Sequence, residues 1–309
     1  MSFEITTSFV QQYRSTLALL AQQKKSRLRD TVIVESGVRG QTAWYDQIGT
    51  SEAQPMTTRQ GDTPTANTPH RRRRIDLTPY NWADLIDTVD KVRMLSDPTS
   101  AYTQAGNAAM ERAKDRIIFS SFFATAYTGQ TGGTTVTFPS GNIVAVNSWA
   151  YGSGSGNVGL TISKLIEAKA LLLANEVVDD SDPQSVPDVY AVITSKQLSQ
   201  LLSTTEVTSR DYNMAELQPL KSGKVADFMG IRFIRMDQIP NGSSTWLDGN
   251  SYAQVPVWQK MGVYLGIGED ITTEISRRAD KNMAWQPYYE MMMGAARVEE
   301  ARVAQIKCL

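Results

Sequence analysis

The chain has 309 residues, of which 41% are hydrophobic and 8% aromatic, values that are typical of a folded protein and exclude a disordered chain. Its 31 lysine and arginine residues are balanced by 32 aspartate and glutamate residues, so the formal net charge is -1, which argues against a diffuse affinity for nucleic acid. Cys308 is the single cysteine, so an intrachain disulfide and a cysteine-based metal site are excluded. The length allows one large domain or two ordinary ones.

The N-terminal region predicts an amphipathic helix from Ser8 to Arg29, because apolar residues recur there at helical spacing. Its apolar positions are Phe9, Tyr13, Leu17, Leu20 and Leu28. Such a helix needs a surface to cover, either its own domain's or a partner's. We interpret its basic face as solvated, with nucleic acid as the alternative. The region lacks the features of a signal peptide, and no stretch reaches the roughly 20 apolar residues of a membrane span, so a soluble, cytoplasmically made protein is expected.

The segment from Gly40 to Pro69 is unusually polar. It opens with QTAWYDQIG, which predicts a short strand, and continues as TSEAQPMTTRQGDTPTANTP. A stretch of this kind inside a compact domain is usually either functional or disordered. If it is ordered, we expect an extended hairpin that lies against something outside its own core.

Four consecutive arginines, Arg71 to Arg74, follow this polar segment and precede a predicted helix. A block of basic residues is typical of phosphate binding. Guanidinium groups also pair bidentately with carboxylates and suit protein interfaces. From the run alone, nucleic acid, an anionic substrate and another protein all remain open as partners.

The middle of the chain is dominated by predicted helices. One is expected over YNWADLIDTVDKVRML with Asn81 as its N-cap. A longer one is expected from Pro98 to Tyr127, closed by Gly129, and a third follows Thr161 as its cap.

The remainder is dominated by predicted strands. FPSGNIVAVNSWAY contains one strand, and VYAVI predicts a buried strand before a short helix capped at Thr194 or Ser195. VADFMGIRFIRM predicts a hairpin that turns at Met229 and Gly230. From Val255 to Ile306 strands alternate with turns. Helices in the middle and strands at the end define an α+β class.

No arrangement of residues supports an enzyme, a metal site or a cofactor site. GSGNVG, at 154–159, matches a dinucleotide-binding pattern, but its spacing from the predicted strand and helix is wrong. His70 is the sole histidine and has no orienting acid nearby in the sequence. The acidic run at Asp179–Asp182 lacks calcium-loop spacing, and Met291–Met293 is interpreted as core or interface filler. We therefore expect no catalytic residue, no metal and no cofactor.

Three stretches and the order of elements carry a family resemblance. The stretches are YRSTLALLAQQKKSRLRDTVIVESGVRGQTAWYDQIG, VADFMGIRFIRMDQIP and GAARVEEARVAQIK. Together they resemble the major capsid proteins of tailed bacteriophages, which have the HK-ninety-seven-like fold, over nearly the whole chain. The resemblance implies a subunit that self-assembles into an icosahedral head shell around packaged double-stranded DNA. The alternatives are an encapsulin-like compartment and a nucleic-acid-binding protein that uses Arg71–Arg74.

The resemblance also implies a division of the chain. A spine helix from Pro98 to Tyr127 would belong to the peripheral domain, and the axial domain would meet its copies at the five-fold and six-fold axes. The expected segments are an N-arm at 1–40, an extended loop at 41–75 laid over an adjacent subunit, a peripheral domain at 76–140, an axial domain at 141–240, and return strands of the peripheral domain at 241–309.

Partners and contact residues follow from the same resemblance. The expected partners are copies of the chain as pentamers and hexamers, the portal, a scaffolding protein and a decoration protein. DNA would be enclosed without sequence-specific binding in a virion assembled in the host bacterial cytoplasm, with no membrane involved. The candidate intersubunit contacts are Phe9, Tyr13, Leu17, Trp44, Tyr45, Arg71, Arg72, Arg73 and Arg74.

Two details leave room for other roles. Trp44 and Tyr45 are equally compatible with ordinary local core, and the four arginines with a solvated hinge or a DNA contact.

Some members of the fold cross-link the shell through a lysine on the extended loop. From Gln41 to Tyr80 this chain has no lysine, so no covalent cross-linking of that kind is expected.

Overall fold

The computed structural model describes residues 22–56, 58–59, 61, 65–86, 99–149, 156–177, 189–203, 227–237 and 247–309. The first part of the chain supplies the strands β1 Ile33–Ser36, β2 Thr42–Ile48, β3 His70–Asp76 and β4 Thr78–Ala83, then the helix α1 Thr99–Phe123 and the strands β5 Ala126–Thr128, β6 Thr134–Val136 and β7 Ile143–Val144. The second part supplies α2 Ile162–Ala174, β8 Val189–Ile193, α3 Ser195–Leu202, β9 Asp227–Phe228, β10 Ile231–Arg235, β11 Ala253–Gln259, β12 Val263–Arg278, β13 Ala284–Arg297 and β14 Val303–Cys308. The predicted α+β class is confirmed.

A four-stranded sheet, in the order β1-β12-β13-β4, forms one layer with the long helix α1 packed on it. Ile118, Phe119 and Phe122 of the helix are buried against apolar residues of β12 and β13. Gly106 lets the helix approach closely, since a Cβ atom there would lie 2.6 Å from the ring of Trp82. Trp82 in turn packs edge-on against Tyr289, with ring centroids 5.7 Å apart.

The predicted helix with Asn81 as its N-cap is wrong over its described part. Asn81 lies within β4, which pairs antiparallel with β13 from Met293 to Tyr288. In this strand Tyr80 and Trp82 are half-buried while their neighbours are exposed, the alternation of a sheet with one covered face. The rest of that prediction, from residue 87, lies outside the described residues.

The long helix was predicted correctly but with a C-terminus that is too late. α1 ends at Phe123, and Ala126–Thr128 pairs as a strand with β3 and β6. Gly129 follows with a positive φ of 95°, so it closes the strand turn instead of the helix.

The expected N-terminal helix is also wrong over its last residues. Residues 22–28 are not helical, because their backbone N–H groups bind carboxylates of α1 instead of helical carbonyl groups. Asp115 accepts hydrogen bonds from the backbone N–H of Arg27 at 3.0 Å and of Leu28 at 3.1 Å, and from the hydroxyl of Ser26 at 2.6 Å. Residues 8–21 lie outside the described part of the chain.

A six-stranded sheet, in the order β7-β14-β11-β8-β10-β9, forms a second core with α2 and α3. All five residues of β8 are buried, as the continuous apolar run VYAVI predicted. The predicted caps are confirmed: the hydroxyl of Thr161 accepts from the backbone N–H of Lys164, and Thr194 forms a capping box with Gln197. The predicted hairpin turn at Met229 and Gly230 is confirmed, with both residues at positive φ.

The C-terminal strands are divided between the two sheets. β12 and β13 belong to the four-stranded sheet, whereas β11 and β14 pair with each other and with β8 and β7 of the six-stranded sheet. This differs from the expectation that 241–309 return as a whole to the peripheral sheet. The reason is burial: Val255 to Trp258 are all buried, which requires a central position covered on both faces.

Two further residue groups have clear roles. Met291 and Met293 are buried in the core, which confirms them as filler. The buried ammonium group of Lys164 donates to the backbone oxygens of Val146 at 2.9 Å, Val158 at 2.8 Å and Lys307 at 2.7 Å. It therefore ties the loop before α2 to the C-terminal strand.

Within the described ranges, no helix is long and apolar enough to cross a membrane.

The thiol of Cys308 gives a first test of this fold. Cys308 is fully buried, and burial raises the pKa of its thiol to about 11. In the folded chain the group should therefore stay protonated and shielded at pH 8, where an unfolded cysteine is partly ionised and reactive. Ellman's reagent should leave the native chain unlabelled and titrate one thiol after unfolding in urea. Rapid labelling of the native chain would contradict the packing of β14.

Candidate functional site

The segment that was expected to form an extended hairpin contains the two paired strands β2 and β3. They run antiparallel from Thr42 opposite Asp76 to Ile48 opposite His70. Beyond them, the backbone N–H of Gly49 donates to the oxygen of Pro69 at 2.8 Å, so the contact between the two chain segments continues one residue past Ile48 and His70. The predicted strand within QTAWYDQIG is confirmed as β2.

The hairpin strands bury very little apolar surface. Of these two described strands, only Ala43, Arg73 and Ile75 are buried. Further out, Ile48 is 72% exposed and Met56 85% exposed. β3 also pairs with β5, but only at Arg73 and Arg74, so further out the hairpin is a two-stranded ribbon. A ribbon with so small a core has little independent stability. The contacts at its base, where it meets the body of the protein, must therefore hold it.

The apolar part of the base is a small cluster that joins the hairpin to the four-stranded sheet. Ala43 and Ile75 pack with Tyr264 and Val298, and the rings of Tyr45 and Tyr264 lie 5.2 Å apart. The hydroxyl of Tyr264 donates to Glu35. Burial and this hydrogen bond raise the pKa of Tyr264, so the phenol remains a neutral donor.

The polar part of the base is formed by Arg73, which is 3% exposed. Its Nε donates to the backbone oxygen of Val298 at 2.9 Å, and one terminal nitrogen donates to both oxygens of Glu300 at 2.8 and 2.6 Å. Charge-assisted hydrogen bonds of this kind are stronger than hydrogen bonds between neutral groups. They attach β3 to a segment more than two hundred residues later in the chain.

Arg297 lies on the other side of Glu300. Its Nε is 3.6 Å from the carboxylate of Glu300, and its Nη1 donates to the backbone oxygens of Phe122 at 2.6 Å and Ala124 at 3.1 Å. Burial lowers the pKa of Arg297; Glu300 opposes this effect and Arg73 adds to it. One carboxylate thus joins the hairpin, the end of α1 and β13.

The other three arginines of the run have different surroundings. Arg72 forms a fork with Asp46 across the hairpin at 2.5 and 3.1 Å and lies over the ring of Trp44. Its hydrogen bond lowers the pKa of the Asp46 carboxyl. Arg74 pairs with Asp76 at 3.0 Å and lies over the ring of Tyr127. Arg71 is exposed and forms no ion pair with any residue that the structure describes.

The predicted contact residues can now be located. Phe9, Tyr13 and Leu17 lie outside the described residues. Tyr45 packs in the local core and Trp44 stacks with Arg72, so both have roles within the chain. The arginines lie in a strand and not at the start of a helix, and three of the four are paired within their own chain.

Glu300 and Arg297 were missed by sequence reasoning, although they are central to the base of the hairpin. They occur in GAARVEEARV, where charged residues interrupt the apolar pattern between two strands. That interruption is compatible with any surface turn, so it does not indicate a buried contact. In the described parts of the chain, no group of His, Cys, Asp and Glu residues could hold a metal ion.

Solved structures with a similar fold come from phage heads. The capsid of Cyanophage P-SCSP1u has a TM-score of 0.71 and 16% identity, covering 99% of this chain and 94% of that chain. The head structure of Helicobacter pylori bacteriophage KHP40 has a TM-score of 0.73 and 8% identity, covering 100% and 98%. The Cyanophage Pam1 capsid has a TM-score of 0.69 and 14% identity, covering 98% and 97%. The fold is that of tailed-phage major capsid proteins.

A match to a sequence family supports the same class of protein. The family model described as phage capsid protein matches residues 5–309. The chain therefore belongs to the phage capsid protein family. Among curated proteins, no sequence match is found. The chain is a major capsid protein that forms the shell of the phage head, and its location is the virion.

The buried pair at the base of the hairpin predicts a stability difference within the arginine run. Arg73→Met leaves the Glu300 contact and the Val298 oxygen without their donors, so the free energy of unfolding should fall by about 3 kcal/mol. Arg72→Met removes an exposed pair with Asp46 and should cost much less. Urea denaturation of the unassembled chain measures both. Equal losses for the two variants would contradict the anchoring role of Arg73.

Proposed function

We propose that the shell is held together by the hairpin of β2 and β3, which lies across an adjacent copy of the chain. The observation that carries this proposal is the shortage of buried surface in the hairpin, together with its strong attachment at the base. An ordered arm that has almost no core of its own gains stability when it buries its outer part against another surface. In a shell of identical subunits, that surface is available in every copy.

The division of the chain is proposed with two changes of boundaries. The sheet β1-β12-β13-β4 and α1 would form the peripheral domain, with α1 as its spine helix, so the N-arm would end before β1 and not at residue 40. The six-stranded sheet with α2 and α3 would form the axial domain that meets its copies in pentamers and hexamers, and β11 and β14 would belong to it. The N-arm would be held on α1 where Asp115 binds Ser26 to Leu28.

The remaining parts of the proposal concern partners. The shell would enclose double-stranded DNA without sequence-specific binding and would assemble in the host bacterial cytoplasm. The portal, a scaffolding protein and a decoration protein would be its other partners, and the role would be structural and not catalytic. Trp44, Tyr45 and the arginine run remain proposed contacts, as do Phe9, Tyr13 and Leu17. Arg71 is the best placed of the four arginines to contact another subunit, because it is exposed and forms no ion pair with a described residue.

The alternatives are not favoured. A nucleic-acid-binding protein that uses Arg71–Arg74 would need these guanidinium groups to be available for phosphates, but Arg72, Arg73 and Arg74 are paired within the chain. The encapsulin-like compartment has no observation that favours it over a phage shell.

Shortening the hairpin tests its role in assembly. Gly49 and Pro69 are in hydrogen-bond contact, so residues 50–68 can be replaced by Asn-Gly without separating the strands. The full chain, expressed with its scaffolding protein where needed, should form shells in negative-stain microscopy. The shortened chain should fold, as judged by circular dichroism, but form no shells. Normal shells from the shortened chain would contradict the role of the hairpin, and no shells from the full chain would contradict the assembly function.

The absence of lysine from Gln41 to Tyr80 predicts how intact particles dissociate. Shells boiled in sodium dodecyl sulfate should release a single band at the monomer mass of 34.2 kDa, because the hairpin has no amine to form an isopeptide bond. Gel electrophoresis measures this directly. A ladder of cross-linked bands would show that the prediction is wrong.

A further inference from the structure

A cleft of about 710 Å³ opens beside the base of the hairpin. It lies where β5 stops pairing with β3: Thr128 pairs with Arg73, and the chain then turns away at Gly129. The residues His70 to Arg73 border the cleft from β3, and Asp46 and Glu300 also line it. Because β5 has ended, this part of β3 is open on its outer side.

The charges that line the cleft do not balance. Three guanidinium groups, of Arg71, Arg72 and Arg73, stand against the two carboxylates of Asp46 and Glu300, which leaves one positive charge among these five side chains. Both carboxylates are already engaged, Asp46 in a fork with Arg72 and Glu300 with one terminal nitrogen of Arg73. The unbalanced charge therefore belongs to Arg71.

Arg73, which lines the cleft, also has a buried donor that lacks an acceptor. Nη1 of Arg73 is buried and has no hydrogen-bond partner among the residues that the structure describes. A buried polar group of this kind normally has a partner, because leaving it unpaired is costly. Arg71 precedes Arg73 by two residues in β3, so it lies on the same face of the strand as Arg73. An acceptor that enters the cleft can therefore meet both guanidinium groups.

We propose that this cleft binds a carboxylate side chain of a second copy of the chain, with Arg71 and Nη1 of Arg73 as the donors. This inference rests on the proposed function, in which the hairpin lies across a neighbour. One carboxylate supplies the single negative charge that the cleft lacks. A phosphate group would bring more charge close to Asp46 and Glu300, and DNA would need a row of free cations.

The chain offers suitable carboxylates to its neighbours. Glu52 and Glu274 are exposed and form no ion pair with any described residue. Glu52 follows β2 in the outer part of the hairpin, and Glu274 lies in β12. An interface that pairs such acids with Arg71 would select one arrangement of subunits, because wrongly placed neighbours would leave the charges unpaired.

A zero-length cross-link tests the proposal. The Arg71→Lys variant introduces the first amine between Gln41 and Tyr80, and carbodiimide couples an amine to a carboxylate that touches it. Shells are assembled from equal amounts of ¹⁴N-labelled and ¹⁵N-labelled variant chains, coupled, and digested for mass spectrometry. We expect position 71 to be joined to an Asp or Glu peptide in mixed-isotope pairs, which arise solely between different chains. Coupling to Asp46 or Glu300 of the same chain, or no coupling, would overturn the proposal.

A second comparison does not depend on that variant forming shells. Arg71→Gln removes the charge and should lower the yield of sedimenting shells by at least about five-fold. Lys281→Gln is the control, since Lys281 is also exposed and without an ion pair to any described residue, and it lies in the turn between β12 and β13, outside the hairpin and the N-arm; it should assemble normally. Equal yields for the two variants would overturn the carboxylate cleft while wild-type shells still supported the proposed function. If the wild-type chain forms no shells, the proposed function itself fails.

Discussion

The buried contact of Arg73 with Glu300 is the interaction on which the rest of the account depends. The hairpin of β2 and β3 has almost no core, so its direction is determined where it meets the body. There, Glu300 binds Arg73 on one side and approaches Arg297 on the other, and Arg297 holds the backbone at the end of α1. Removing either arginine would leave a partly buried charge without a full set of partners. The hairpin and α1 are thus joined through one carboxylate.

The body of the protein is suited to carry such an arm. The sheet β1-β12-β13-β4 and the six-stranded sheet have separate cores, and the C-terminal strands β11 to β14 are divided between these two sheets. The N-terminal segment is held in a comparable way, because Asp115 of α1 accepts hydrogen bonds from the Ser26 hydroxyl and from the backbone N–H groups of Arg27 and Leu28. Both segments that are proposed to reach other subunits therefore begin at buried charged groups next to the same helix. These buried contacts fasten the start of each segment, and the outer part of the hairpin is proposed to gain its stability on a neighbouring copy.

Local rules predicted the parts of the fold that depend on neighbouring residues. The caps at Thr161 and Thr194, the turn at Met229 and the buried strand VYAVI are all set within a few positions. Asn81 was assigned to a helix because Trp82, Leu85 and Val89 fit helical spacing, but pairing with the distant β13 decides the structure. The arginine run contains Arg73, which the structure places at the base of the hairpin. Its partners could not be found from the sequence, since Glu300 is more than two hundred residues away and its neighbours resemble a surface turn.

The central claim is that the hairpin at 42–76 lies on a neighbouring subunit and is fastened to its own subunit at the base. A cryo-electron microscopy reconstruction of assembled shells at side-chain resolution measures this most directly. We expect density for residues beyond Ile48 and before His70 against an adjacent copy, with Arg73 still bound to Glu300 of its own chain. A hairpin folded back over its own sheets, or an Arg73 side chain withdrawn from Glu300, would contradict it.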